Sequence, residues 1–103
     1  MLAETPATPY YAVIFTSIKD PVSAGYAEMA AEMDRLARQQ DGFLGVDSAR
    51  EEVGITVSYW ASLEAIKNWK ANTSHLMAQK KGRDEWYVNY KVRICLVERD
   101  YEF

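Results

Sequence analysis

Apolar and polar positions switch between a period of two and a period near 3.6 along this chain, and the switches mark its elements. Tyr10–Ile18 reads YYAVIFTSI, with Tyr10, Ala12, Ile14, Thr16 and Ile18 on one face and Tyr11, Val13, Phe15 and Ser17 on the other. Both faces are largely apolar, which places this strand inside a sheet and not at a solvated edge. Asp20-Pro21 turns the chain, and Asp20 or Ser23 can cap the segment that follows. Tyr26, Met29, Ala30, Met33, Leu36 and Ala37 then trace an amphipathic helix. Its other side carries Glu28, Glu32, Arg35 and Arg38, a solvated face with Asp34 and Arg38 at the favourable i, i+4 spacing.

Asp41-Gly42 ends that helix, and Phe43–Glu51 reads as a second strand. Glu52, Val53 and Gly54 turn into a third, in which Ile55, Val57 and Tyr59 alternate with Thr56, Ser58 and Trp60. At Ser62 the period changes again. Ser62 can cap a helix bearing Glu64 in its first turn, with Leu63, Ile66 and Trp69 along one side. Asn72, Thr73 and Ser74 predict a polar break, followed by a second short helix over His75–Lys81 that Gly82 stops. Tyr87–Glu98 is the last strand, with Val88, Tyr90, Val92, Ile94 and Leu96 facing one way and Tyr87, Asn89, Lys91, Arg93, Cys95 and Val97 the other.

The order β-α-β-β-α-β predicts an α+β, ferredoxin-like domain over 1–103, a four-stranded antiparallel sheet with its helices on one face. The first strand is apolar on both sides, and nothing in the chain is left over to cover the side away from the helices. A second copy of the sheet is the simplest cover, so a homodimer is expected.

Composition narrows the classes of partner. The 103 residues are 49% hydrophobic and 13% aromatic, a globular balance. Net charge is −3 with Lys and Arg scattered, which argues against a nucleic-acid partner. No apolar run approaches the ~20 residues that span a bilayer, and MLAETPATP lacks the pattern of a signal peptide. A cytoplasmic protein with no membrane partner is expected. Cys95 is the only cysteine and lies in an apolar run, as a buried structural thiol would.

Candidate chemistry gathers between Gly54 and Tyr87, which hold all three tryptophans and the only histidine. His75 is the natural acid or base, since its ordinary pKa lies near neutrality; a helix-end or surface histidine is the competing reading. Trp60, Trp69 and Trp86 can line a pocket for a flat apolar ligand or can serve as core, with core favoured for Trp69 beside Ile66. Tyr59, Trp60 and Tyr87 fall at strand ends, where a pocket mouth would open. Asn89 and Arg93 share a sheet face with Tyr87 and need partners or a ligand if that face is covered. One His and one Cys make no metal-ligand set, and there is no phosphate loop or nucleophile elbow.

GFLGVDSARE (Gly42–Glu51), GITVSYWASLEAIKNWK (Gly54–Lys70), SHLMAQKKGRDEWY (Ser74–Tyr87) and RICLVERDY (Arg93–Tyr101) together resemble the antibiotic biosynthesis monooxygenase family, of the dimeric α+β barrel superfamily. The resemblance covers nearly the whole chain. It implies a homodimer and, as activity, a cofactor-independent monooxygenase acting with O2 on a small aromatic, quinol-like molecule. His75 would be the base, and Trp60 with Tyr59 the pocket wall. Other branches of the family degrade haem or isomerise a signalling molecule, so haem binding is the alternative, as is a non-catalytic ligand-binding module. In the polyketide-oxidising branch Trp60 matches the family Trp, but Thr56 and Ile66 stand where Asn and Tyr would be. In the haem-degrading branch Trp69 matches, but Gln79 replaces the ligating His; His75, one turn earlier, is the available substitute. In the quinol and signal branches His75 matches the second of two His, with Trp69 in place of the first.

Overall fold

The computed structural model describes residues 2–19, 25–80 and 87–103, and of 74–80 and 87–88 the backbone only. Strand β1 (Tyr10–Lys19) pairs antiparallel with β3 (Val53–Trp60) on one side and β4 (Tyr87–Val97) on the other. Strand β2 (Phe43–Arg50) flanks β3, so the sheet runs β2-β3-β1-β4. The doubly apolar strand is therefore internal, as its pattern requires. With α1 (Tyr26–Ala37) and α2 (Leu63–Lys80) between the strands, the α+β ferredoxin-like order is complete.

Local chemistry sets the helix ends. α1 opens on Gly25 at φ 80°, with no side-chain cap, and the Met29 N–H donates to the Gly25 carbonyl at 3.1 Å. Glycine adopts that left-handed conformation freely, which suits Gly25 to the N-cap position; Asp20 and Ser23 lie outside the described residues. On the solvent face Arg38 Nε donates to Asp34 Oδ2 at 2.9 Å. Ser62 Oγ accepts from the Ala65 N–H at 3.1 Å and caps α2 as its sequence suggests.

The break expected at Asn72–Ser74 does not occur, and α2 is continuous from Leu63 to Lys80. Thr73 Oγ1 donates back along the helix to the Trp69 carbonyl at 2.8 Å, and Asn72 Nδ2 donates to Gln40 Oε1 at 3.0 Å. Polar side chains satisfied in these ways have no need to cap a new turn. Gly82 lies outside the described residues.

Register divides the sheet into two faces. Tyr11 stands opposite Trp60 and Leu96, Val13 opposite Ser58 and Ile94, and Ser17 opposite Gly54 and Tyr90. This is the helix side, where Trp60, Ala65 and Ile66 form the core with Tyr11, Val13, Phe43 and Trp69 packed against them. On the other face, Ala12 stands opposite Tyr59 and Cys95, and Ile18 opposite Val53.

The chain does retain something to cover part of that second face. Ala3 donates its N–H to Asp47 Oδ1 at 2.8 Å, and Tyr59 Oη donates to Asp47 Oδ2 at 2.9 Å. Thr5 Oγ1 donates to the Tyr10 hydroxyl at 2.9 Å, and Tyr10 donates in turn to Asp100 Oδ2 at 2.6 Å. Both termini are thus tied over one end of the sheet, where Tyr10 and Ala12 are buried. At the other end Ile18, Val53 and Ile55 stay 41–47% exposed. Cys95 is half-buried on this face, more open than a core thiol.

Candidate functional site

The helix side of the sheet changes character from end to end. At the apolar end Trp60 is completely buried, with Phe43 edge-on at 5.5 Å and Trp69 stacked at 6.1 Å between ring centroids. Its indole N–H donates to Ser58 Oγ at 2.8 Å, so this ring is a satisfied core residue. Along β4 the apolar row Tyr90, Val92, Ile94 and Leu96 shares the helix side with β1 yet remains 40–54% exposed. Phe15 and Tyr90 pair at 5.4 Å across the two strands, giving that row an aromatic floor.

At the opposite end stands Arg50, the last residue of β2. Its Nη2 donates to Ser17 Oγ, itself 1% exposed, and its guanidinium carbon lies 5.6 Å from the centre of the Tyr26 ring at the start of α1. Lys19 Nζ lies over the same ring at 5.2 Å. Gly54, the cross-strand partner of Arg50, lies directly beneath the guanidinium, and a Cβ there would collide with it. Arg50 Nη1 is buried and has no hydrogen-bond partner among the described residues.

The predicted site residues separate accordingly. Trp60 and Trp69 come together, but in the core. Tyr59 points to the opposite face of the sheet, where burial first and the Asp47 carboxylate second push its pKa up to about 12. Asn89 and Arg93 are exposed on that same opposite face. His75 lies on α2, described as backbone only; Tyr87 pairs by its backbone with Lys19, and Trp86 lies outside the described residues.

Arg50, Ser17 and Tyr26 escaped the sequence reading. Their signal was an arginine two positions beyond Ser48 on a strand, opposite a glycine across a hairpin. A register shift between Phe43 and Gly45 obscures which way Arg50 points. A separate surface depression at the start of α2, lined by Asp41, Gly42, Ser62, Glu64, Ala65 and Asn68, holds two carboxylates and no cationic side chain.

Residues 9–81 match the family described as antibiotic biosynthesis monooxygenase. The chain belongs to this family. It is 52% identical over 100 residues to the uncharacterised protein YqjZ of Bacillus subtilis, a likeness covering 95% of this chain and 88% of that protein. The family fold recurs in SnoaB, a cofactor-independent oxygenase from Streptomyces nogalater, at TM-score 0.67 and 11% identity over 92% of this chain and 97% of that one. A Pseudomonas aeruginosa protein of solved structure is similar at TM-score 0.68 and 19% identity, over 93% and 99% of the two chains. At such identities the likeness is one of fold.

Proposed function

We propose that this protein is a cofactor-independent monooxygenase acting with O2 on a small aromatic, quinol-like substrate. The observation that carries the reading is the exposed row Tyr90, Val92, Ile94 and Leu96, floored by the Phe15–Tyr90 pair, on the helix side of a member of this family. A flat ring laid along it exchanges water for apolar contact on one side and meets polar groups at the Arg50 end. The match to SnoaB in fold supports the same class of chemistry.

The reaction needs a base and no metal. His75, the only histidine, takes a phenolic proton; the electron-rich anion then passes an electron to O2, and the radical pair combines at a ring carbon. Loss of water completes the balance: a hydroquinone and O2 give a hydroxyquinone and water. Trp60 and Trp69 pack the core on the same helix side, against Tyr11 and Val13 of β1. Replacing His75 with Ala is expected to lower turnover at least ~100-fold, and unchanged turnover would remove it as the base.

Two copies of the chain form the working unit in this proposal. Ile18, Val53 and Ile55 remain exposed on the face away from the helices, beside the patch that the termini cover. A second sheet laid against them removes that apolar surface from water.

A further inference from the structure

We propose that Arg50 anchors a carboxylate on the aromatic ligand, so that the substrate class is a hydroxylated aromatic acid and not a neutral quinol. For turnover this rests on the oxygenase reading above; for binding it stands alone.

A guanidinium keeps its charge at every ordinary pH, and a buried one is costly unless its N–H groups are paired. Here Nη2 is engaged by Ser17 while Nη1 is buried and unpartnered among the described residues. The ion pairs among the described residues are Arg35 with Glu32 and Arg38 with Asp34, both on the exposed side of the α1 segment, and neither involves Arg50. A second cation, Lys19, shares the Tyr26 ring, so positive charge accumulates at this end of the site.

The guanidinium is held in place before any ligand arrives. Ser17 fixes one nitrogen, the Tyr26 ring lies 5.6 Å from the guanidinium carbon, and the bare backbone of Gly54 leaves the room it occupies. Ser17 is the cross-strand partner of both Gly54 and Tyr90, so the guanidinium over Gly54 stands between one and two strand spacings from the Tyr90 end of the aromatic floor. In this proposal a ring resting on Phe15 and Tyr90 extends its carboxylate towards the guanidinium, whose Nη1 carries the N–H groups left to pair once the site opens to admit it. A planar carboxylate oxygen meets a guanidinium N–H with the best geometry and a charge-assisted bond.

The test compares two probes that differ only in that group, 2,5-dihydroxybenzoate and hydroquinone. Each is titrated calorimetrically into the purified full chain under nitrogen, so that no turnover intervenes. The wild type is expected to bind the acid ~10- to 100-fold more tightly, the range of a charge-assisted bond to a buried group. In Arg50→Met the preference should collapse towards one. Gly54→Ala keeps the charge but occupies its seat, and should collapse the preference too; Arg50→Lys should restore only part of it, because an ammonium lacks the fork. Equal wild-type affinities, no saturable binding of the acid, or a preference that survives in Arg50→Met would each overturn the proposal. Acid-selective binding without oxygen uptake would defeat the oxygenase reading alone, and oxygen uptake without acid selectivity would defeat this one alone.

Discussion

Two neighbouring aromatic residues, Tyr59 and Trp60, show how much one step along a strand decides. Trp60 enters the core and Tyr59 joins the carboxylate network under the N-terminus, because successive strand side chains point to opposite faces. Truncating Trp60 to Ala should destabilise the fold by ~3–5 kcal/mol in urea unfolding, as an emptied aromatic site does in a packed core. A loss well under ~1 kcal/mol would show that the ring is not core. Tyr59 makes a different prediction. Its pKa stands at about 12, above the ordinary 10.0, so the folded state holds the phenol proton more tightly than the unfolded chain. The resulting stability is fully present below pH 10 and is lost as pH rises through 12. Spectrophotometric titration should find Tyr59 ionising late, along with Tyr10, which its hydrogen bond to Asp100 also raises; Asp47→Asn should bring Tyr59 earlier while leaving the part due to burial.

Among elements, β1 and β4 were legible because period-two alternation fixes their phase, while a register shift hides the phase of β2, and β3 begins at Val53, which the sequence reading placed in the turn. β4 keeps Tyr90, Val92, Ile94 and Leu96 on one side, as its pattern requires. The second helix was misread at Asn72–Ser74, where residue type suggests a cap and the side chains bond elsewhere. Only the fold supplies Gln40 as a partner for Asn72, so sequence could not have settled that point. Ser62, by contrast, does cap, and Ser62→Ala should cost about 1 kcal/mol in thermal or urea unfolding. The Arg50 end was not legible for a related reason: its meaning depends on Ser17, Gly54 and Tyr26, which three other elements bring to it.

For the whole molecule, family and fold could be read from the chain, while the covering of the second face could not. The apolar pattern of β1 demanded cover on both sides; the termini provide it at the Tyr10 end, through contacts with Asp47 and Asp100 that no periodicity announces. The remaining patch predicts self-association. Ile55→Asp, placing a charge within the exposed apolar group, should shift sedimentation from dimer to monomer. A wild-type chain that sediments as a monomer would refute the paired sheets. The central claim is oxygen chemistry without a resident cofactor, and the most direct measurement is 18O2 incorporation by chelator-dialysed protein given 2,5-dihydroxybenzoate or hydroquinone. The account predicts one labelled oxygen atom in the ring product and the other in water, at a rate that falls in His75→Ala. Product without label, or oxygen uptake no faster than in the protein-free control, would contradict it.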